Sequence, residues 1–307
     1  MTISPAQFEY RLAEDARACE AMLDALLAPA PSPGEIERPA RLLAAMRHGA
    51  LGGGKRLRPF LTVESARALG LSGEGPLLAG CALELIHCYS LVHDDLPAMD
   101  DDDMRRGRPT VHVAFDEASA ILAGDSLLTL AFDVICDPRV SPDPARRLEA
   151  ARCLARAAGV GGMAGGQALD LAAEAAQAEL TPEQVMRLQA MKTGALLAFA
   201  VDQGAILADA RPSERAALGE YGRALGACFQ IADDILDAES DAATLGKRAG
   251  KDADRNKGTL VALMGLEAAK ARRDSLAAQA QAALKSLSGR DVAMLAAAAR
   301  FAAGRRN

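Results

Sequence analysis

Alanine and leucine recur along the chain at three- and four-residue spacing, the period of an amphipathic helix. Aromatic residues make up only 3% of the chain, and runs of β-branched residues are few, so the pattern does not favour strands. The pattern predicts helices at 5–28, 36–48, 57–70, 76–95, 115–136, 142–159, 181–209, 213–238, 258–287 and 290–303.

Short stretches rich in glycine, proline and serine separate these helices, among them APAPSPG, LGGGK and GVGGMAGG. None is long or polar enough to indicate an interdomain linker, and no repeat is visible at a period on the order of 20–50 residues. The sequence therefore predicts one all-α domain over residues 1–307. The least regular part is the polar stretch at 238–258, whose length is typical of a functional or disordered loop.

Charge and composition exclude several classes of protein. The net charge of −6 argues against a general nucleic-acid surface. The six cysteines have no zinc-site spacing and are expected to be buried apolar residues in a reducing compartment. The first residues have no signal-peptide pattern, and no uninterrupted apolar run approaches the length of a membrane span. We therefore expect a cytoplasmic protein without membrane insertion.

The acidic stretch DDLPAMDDDDMRRG at 94–107 directly follows an apolar, predicted helical run. On a continuing helix Asp94, Asp95 and Asp100 would diverge, because successive residues turn by about 100°. Pro97 is expected to end the helix near Asp95, which allows Asp100 to fold back. Carboxylates at a helix C-terminus oppose the helix dipole, so a cation is expected beside them.

A second acidic cluster lies in FQIADDILDAES, among apolar neighbours on a predicted helix. Asp233 and Asp237 share one helical face, and Asp234 flanks it. Oxygen-only clusters with few carboxylates suit Mg²⁺, which completes its coordination with water and phosphate oxygens. Taken singly, the first cluster has a solvated acidic loop as its alternative, and the second has a charged helix face.

Two other ligand-binding motifs fail on inspection. An EF-hand loop that starts at Asp100 would place Arg105 where glycine is needed and Val111 where glutamate is needed. GALGGGKR at 49–56 approaches a P-loop, but Arg56 replaces the hydroxyl residue and a predicted helix precedes it.

Basic residues gather near the predicted helix ends, where arginine forks and glycine-rich backbone can bind phosphate. They are Lys55, Arg56, Arg58, Arg105, Arg106, Lys192, Lys247, Lys251 and Lys257. Each group alone could be surface charge. Beside two Mg²⁺-capable clusters, they indicate two phosphorylated substrates.

The motifs DDLPAMDDDDMRRGRPT and DDILD resemble the two aspartate-rich motifs of the trans-isoprenyl diphosphate synthases. GGGKRLRP, HCYSLVHDD, AILAGDSLL, GGQALDL, MKTGAL and FQIADDILD follow in that family's order, over roughly residues 53–265. The resemblance is nearest to the bacterial farnesyl-producing group. It implies the isoprenoid synthase fold, a helical bundle around a central active-site cavity, in a homodimer.

The resemblance implies that isopentenyl diphosphate condenses with dimethylallyl or geranyl diphosphate to give (2E,6E)-farnesyl diphosphate. In the family's scheme three Mg²⁺ ions, or Mn²⁺ in their place, hold the allylic diphosphate against the aspartates while its C–O bond ionises. Alkene attack and proton loss follow. No side-chain nucleophile is needed, and none is apparent in the sequence.

Motif matching assigns a role to each candidate residue. The metal ligands are Asp94, Asp100 and Asp233, with Asp95, Asp234 and Asp237 in support. The isopentenyl diphosphate site is Lys55, Arg58, His87 and Arg106. The allylic diphosphate site is Arg105, Lys192, Lys247 and Lys257, and Thr193 and Gln230 lie beside the cation. Gln167 and Asp170 have a supporting or packing role, and a satisfied core histidine is the alternative for His87.

Product length is assigned to the residues below the first aspartate. Ser90 lies one turn before Asp94, and Tyr89 lies about 7.5 Å down the helix axis from it. In similar enzymes an aromatic residue at this position blocks elongation, so Tyr89 suits a fifteen-carbon product. Ordinary core packing is the alternative for Tyr89.

Other functions remain open on the sequence. A geranylgeranyl or longer-chain synthase is the nearest alternative, while DDILDAES does not fit the second metal motif of terpene cyclases. A noncatalytic subunit would be expected to lack aspartates that are present here. A departure from the family pattern follows Lys257, where Gly258 begins GTLV instead of STYP. In some relatives a basic C-terminal tail closes over isopentenyl diphosphate, but we do not assign that role to Arg305 and Arg306.

Overall fold

The computed structural model describes residues 3–176, 180–245 and 259–305, which are almost entirely helical. The helices are α1 (Pro5–Leu26), α2 (Ala40–Ala50), α3 (Leu57–Ala68), α4 (Glu74–Asp94), α5 (Val111–Ala114), α6 (Glu117–Cys136), α7 (Pro144–Ala158), α8 (Met163–Ala176), α9 (Pro182–Gln189), α10 (Ala195–Leu207), α11 (Pro212–Leu245), α12 (Leu260–Met264), α13 (Leu266–Ala283) and α14 (Ala293–Ala303). A π-helical turn at Ala190–Gly194, a 3-10 turn at Leu284–Ser286 and a hairpin of β1 (Met104–Arg105) with β2 (Arg108–Pro109) complete the elements. The predicted all-α fold class is confirmed.

Helix starts follow from local sequence chemistry. Ser4 and Gln7 form a capping box at α1, and Thr181 and Gln184 form the same arrangement at α9. In both helices proline occupies the first turn, where N–H groups have no intrahelical acceptor, so the helix loses no hydrogen bond. The Asp116 side chain accepts from the Ser119 N–H and so caps α6.

The core is organised around α4, which packs against α3 and α6. Nearly every side chain in the middle of α4 is buried, and one hydrophobic cluster continues from α1 to α14. α10 packs between α3 and α11, while α13 and α14 cover α11. The buried Tyr221 hydroxyl donates to the Leu295 carbonyl at 2.8 Å and ties α11 to α14. The packing of α4 against α3 and α6 positions its carboxyl end, where the acidic loop begins.

Two helices in the described chain, α4 and α6, are long and apolar enough to cross a membrane by length and composition. The apolar window of α4 is 72% buried inside the fold, so it is explained by the core. The window of α6 is only 39% buried, and Ile121 and Leu122 on it are 45% and 54% exposed. α6 therefore presents an apolar face that the described part of the chain leaves exposed.

Helix α8 is absent from the sequence prediction, which treats GVGGMAGG as a break. In the structure Gly165 and Gly166 lie inside α8. A Cβ on Gly166 would lie 2.3 Å from the Lys192 backbone nitrogen, so this glycine permits two backbones to pack closely. The glycine-rich sequence predicts a break between helices, but here the glycines lie in a helix and allow close packing with another part of the chain.

Several predicted boundaries also differ. The helix predicted at 181–209 is interrupted by the π turn, and the helix predicted at 258–287 is divided at Gly265. α11 continues to Leu245, so the first part of the predicted polar loop at 238–258 is helical. Residues 246–258 lie outside the described part of the chain.

Gly204 supplies a test of the α3–α10 packing. A Cβ at this position would lie 2.5 Å from the Thr62 carbonyl oxygen and 2.7 Å from the Ala66 nitrogen. We expect Gly204→Ala to lower the free energy of unfolding by about 1–3 kcal/mol, because both neighbours are backbone and must shift. Urea denaturation measures the change.

The matched control is Gly219→Ala on α11. There a new Cβ would meet only the flexible end of Arg223, at 3.4 Å. Alanine is the better helix former by up to about 1 kcal/mol, so this variant should be slightly stabilised. Equal destabilisation of both variants would contradict the close crossing at Gly204.

Candidate active site

The acidic loop after α4 folds back onto the end of that helix. α4 ends at Asp94 with Asp95 as its C-cap, as the position of Pro97 predicts. The Asp100 N–H donates to the Asp94 carbonyl oxygen at 2.8 Å, and the Asp102 N–H donates to the Asp95 carbonyl oxygen at 3.2 Å. The backbone therefore returns Asp100 to the helix end, as the sequence predicts.

The two aspartates at the end of α4 have different surroundings. Asp95 is 3% exposed, and its Oδ1 accepts from Arg105 at 2.6 Å. Burial raises the pKa of Asp94 to about 6, with Lys192 opposing this rise and Asp100 adding to it. Asp95 is thus neutralised by a protein cation, whereas Asp94 is a desolvated carboxyl that a further cation would stabilise in its ionised form.

In the second cluster, Asp234 is held by protein donors. It is 6% exposed, and its oxygens accept from Gln189 Nε2 at 2.8 Å, Gln230 Nε2 at 3.0 Å and the Leu260 N–H at 3.2 Å. These contacts join α11 to α9 and α12. Asp234 is therefore placed to support its neighbours, and the chain is anchored at Leu260 although GTLV departs from the family pattern.

Asp233 lies on the same face of α11 as Asp237 but has a different partner. Its Oδ1 accepts from Arg305 Nη1 at 2.6 Å. Burial raises the pKa of Asp233 to about 6; the Arg305 charge opposes the rise, and the Asp237 charge adds to it. A basic residue that the sequence left without a role therefore contacts the second aspartate motif.

Lys192 is positioned by the π-helical turn and by α8. Its Nζ lies 2.6 Å from Asp170 Oδ2, and its backbone packs on Gly166. π-helical turns occur frequently at functional sites because they alter the direction of side chains within a helix. Thr193 is the next residue of the turn and is partly buried. The structure thus brings Asp170 of GGQALDL into contact with Lys192 of MKTGAL.

Gln167 is the unexpected member of this region. Both polar atoms of its side chain are buried, and neither has a hydrogen-bond partner within the described residues. A buried amide without partners is costly, on the order of 1–3 kcal/mol for each group. The sequence identified Gln167 only through its motif, because burial without a partner is a tertiary property.

The basic cluster contains desolvated cations. Burial lowers the pKa of Arg58, whose Nε has no hydrogen-bond partner in the part of the chain described. Burial, together with the charges of Arg58 and Arg106, lowers the pKa of His87 well below its usual value. The Lys55 pKa is also lowered, by burial and by Arg305. An enclosed cationic donor without an acceptor indicates a place for an anion.

The prediction that Arg56 belongs to the phosphate-binding group is wrong. It is 3% exposed and points into the core, where it pairs with Glu84 at 2.8 Å and with Glu20 at 2.6 Å. Its φ of 46° is left-handed, so the chain reverses between Lys55 and Arg58. Arg56 therefore shapes the glycine-rich loop and does not face an anion.

Below the first aspartate cluster, α4 carries Tyr89 and Ser90. The Tyr89 ring lies edge-on to His93 with ring centroids 5.8 Å apart, and burial raises the Tyr89 pKa. The Ser90 hydroxyl donates to the His87 carbonyl at 2.9 Å. Tyr89 is therefore partly buried beside Asp94, whose charge also raises its pKa.

Three predicted lysines, Lys247, Lys251 and Lys257, lie outside the described residues. The remaining candidates form a connected set of charges: Arg105 acts on both Asp94 and His87, and Arg58 acts on both His87 and Asp233. Both acidic clusters and the basic cluster therefore belong to one region.

The chemistry of the acidic clusters fits a hard divalent cation. The donors are carboxylate oxygens, and the raised pKa values of Asp94 and Asp233 indicate negative charge that the protein alone does not fully stabilise. Within residues 3–176, 180–245 and 259–305, no group of three or more His, Cys, Asp or Glu side chains is arranged to hold a metal by itself. A cation bound here would take further ligands from water or from substrate oxygens.

Comparison with known proteins agrees with this geometry. A farnesyl diphosphate synthase of Escherichia coli (strain K12) is 48% identical over 250 residues, which cover 80% of this chain and 82% of that protein. A chloroplastic geranylgeranyl pyrophosphate synthase of Capsicum annuum is 40% identical over 272 residues, 89% of this chain and 73% of that protein.

The crystal structure of an FPP/GFPP synthase from Zymomonas mobilis matches with a TM-score of 0.85 at 39% identity, covering 97% of this chain and 99% of that chain. The model of the polyprenyl synthetase family matches residues 39–293. This range includes both acidic clusters and the basic cluster. The chain belongs to the polyprenyl synthetase family.

Proposed function

We propose that this chain is a prenyltransferase that condenses isopentenyl diphosphate with dimethylallyl or geranyl diphosphate to give (2E,6E)-farnesyl diphosphate. The observation that carries the proposal is that one region holds two acidic clusters, in which burial raises the pKa of Asp94 and Asp233, together with Arg58, whose buried Nε has no hydrogen-bond partner among the described residues. A terpene cyclase would have no use for the second, Arg58-containing anion site. The 48% identity to the Escherichia coli synthase supports the same assignment.

The chain's own residues divide the binding work between two diphosphates. Arg58, Lys55, Arg106 and the neutral His87 would hold isopentenyl diphosphate. Lys192 and Arg105 would hold the allylic diphosphate beside Asp94. We assign Lys247 and Lys257, which the structure does not describe, to that same group. Because the Arg58 guanidinium is desolvated, it should stabilise diphosphate charge more strongly than an exposed cation would.

Asp94, Asp100 and Asp233 would hold Mg²⁺, with Asp95, Asp234 and Asp237 in support. Bound Mg²⁺, three ions per site in our proposal, supplies Lewis acidity toward the diphosphate oxygens, and Mn²⁺ is an alternative. In the reaction the allylic C–O bond breaks and its electron pair leaves with diphosphate. The isopentenyl alkene then forms the new C–C bond, and a proton passes to the departed diphosphate.

Gln230 and Thr193 would stabilise the allylic cation through dipoles. The Gln230 amide nitrogen donates to Asp234, so the carbonyl oxygen is the end of the amide that remains for substrate. A carbonyl oxygen stabilises a neighbouring positive charge without acting as a strong nucleophile. This contact gives Asp234 a positioning role toward the reacting atoms.

We further propose that the chain acts as one domain in a cytoplasmic homodimer, without nucleic-acid partners or membrane insertion. The uncovered apolar face of α6, which includes Ile121 and Leu122, supports association with a second copy. The continuous hydrophobic cluster supports the single domain.

Incubating the protein with Mg²⁺, isopentenyl diphosphate and either dimethylallyl or geranyl diphosphate tests the assignment. We expect fifteen-carbon diphosphate as the main product, identified as its alcohol after phosphatase treatment. Asp94→Ala and Asp233→Ala should each reduce kcat by orders of magnitude, about 10³-fold or more, because each removes a charge that holds the metal and the leaving diphosphate.

The control for the aspartate variants is Asp103→Ala, an exposed residue of the same acidic stretch without an assigned role. It should retain most of the activity. Failure of the protein to condense either allylic substrate would overturn the proposed function, and a mainly twenty-carbon product would favour a geranylgeranyl synthase.

Tyr89→Ala tests control of product length. Removing the ring is expected to open space below Asp94 and to shift the product toward twenty carbons, which chromatography of the released alcohols would resolve. Tyr10→Ala is the matched control, because Tyr10 lies on α1 and is 67% exposed. An unchanged fifteen-carbon product from Tyr89→Ala would reject Tyr89 as the floor of the cavity.

Metal-free stability should depend on pH through Asp94. Its pKa of about 6 in the fold exceeds the ordinary value of 3.8, so its ionisation destabilises the folded state above about pH 6, and protonation relieves this as the pH falls toward 4. In EDTA, Asp94→Asn should therefore be more stable than the wild type by about 1–2 kcal/mol at pH 8, with little difference near pH 4.5. Urea titrations at the two pH values measure this, and a variant less stable at pH 8 would contradict it.

A further inference from the structure

The segment that follows α14 brings Arg305 to the second aspartate motif. Its Nη1 donates to Asp233 Oδ1 at 2.6 Å, and its side chain is only 13% exposed. The guanidinium carbon lies 4.1 Å from the centre of the Phe229 ring, one helical turn before Asp233 on α11. Arg305 is thus held on α11 by both an ion pair and a ring contact.

This contact differs from an ordinary surface salt bridge. Arg305 Nε is buried and has no hydrogen-bond partner within the described residues. Placing the guanidinium beside Asp233 therefore carries the desolvation cost of an unsatisfied donor. One turn earlier, Phe301 lies under the Lys55 ammonium at 5.5 Å from its ring centre. The end of α14 therefore stands between the anion-binding lysine and the second acidic cluster.

Arg305 and a divalent cation would compete for the Asp233 carboxylate. A divalent cation on Asp233 and a guanidinium on the same carboxylate would repel each other strongly in a site with little water. Arginine remains charged at any physiological pH, so it cannot relieve the repulsion by losing a proton. Movement of Arg305 away from the carboxylate would free Oδ1 for a metal and remove the repulsion.

We propose that Arg305 is an internal counter-ion that neutralises Asp233 in the metal-free protein and is displaced when a metal–diphosphate complex binds. The inference rests on the proposed function, since it takes Asp233 as a metal ligand. It gives the tail at Arg305 a competitive role: each metal–diphosphate complex that binds at Asp233 displaces one cation that the chain itself provides.

Binding of Mn²⁺ tests the competition without measuring turnover. Free Mn²⁺ is followed by electron paramagnetic resonance while it is titrated into protein with saturating inorganic diphosphate. Arg305→Met retains an unbranched side chain over Phe229 but removes the competing charge. We expect it to bind Mn²⁺ about three- to tenfold more tightly than the wild type, as expected for the loss of a partly buried competing ion pair.

The matched control is Arg300→Met, which removes a positive charge five residues earlier, on α14 itself. The Arg300 guanidinium donates to the Ile3 carbonyl at 3.2 Å and contacts neither acidic cluster in the described chain. This variant should bind Mn²⁺ within about twofold of the wild type, which separates a specific contact from a general change in charge.

A double-mutant cycle completes the test. In an Asp233→Asn background, Arg305→Met should no longer alter the affinity for Mn²⁺, because the contested carboxylate is absent. Equal affinities in the wild type and Arg305→Met, or an Arg305 effect that persists without Asp233, would overturn the counter-ion role. Absence of any diphosphate-dependent Mn²⁺ binding in the wild type would instead count against the proposed function.

Discussion

Helix α4 is buried along nearly its whole length and stops where its side chains change from apolar to acidic. Pro97 cannot continue the helix, and the backbone returns so that the Asp100 N–H meets the Asp94 carbonyl. The same helix carries Glu84 and His87 one or more turns earlier. Because its flanks are packed against α3 and α6, every group on it has a defined position relative to the others.

Because α4 is packed on its flanks, charged groups of the site are buried within the protein itself. Carboxyl groups with pKa values of about 6 carry a desolvation cost, and so does Arg58, whose buried Nε has no hydrogen-bond partner among the described residues. Ligands of the opposite charge convert these unfavourable groups into strong binding partners, because water no longer competes for them. The large apolar core around α4 offsets the cost of burying these charged groups in the site.

Arginines also sort the acidic residues into distinct roles. Arg105 neutralises Asp95, and Arg56 forms ion pairs with Glu84 and Glu20 inside the core. Arg305 holds Asp233. These pairings distinguish aspartates that adjoin each other in sequence, since Arg105 pairs with Asp95 beside Asp94, and Arg305 pairs with Asp233 beside Asp234.

The sequence by itself determined the helical class, both acidic clusters, the turn at Pro97 and the order of the motifs, because periodicity, proline chemistry and charge are local properties. It did not determine α8, where Gly166 serves close packing on Lys192, nor the inward direction of Arg56. Arg305 could not be paired with Asp233 from sequence either, because 72 positions separate them. Tertiary structure decided these contacts, since it alone brings distant backbones together and removes the water that would otherwise separate their charges.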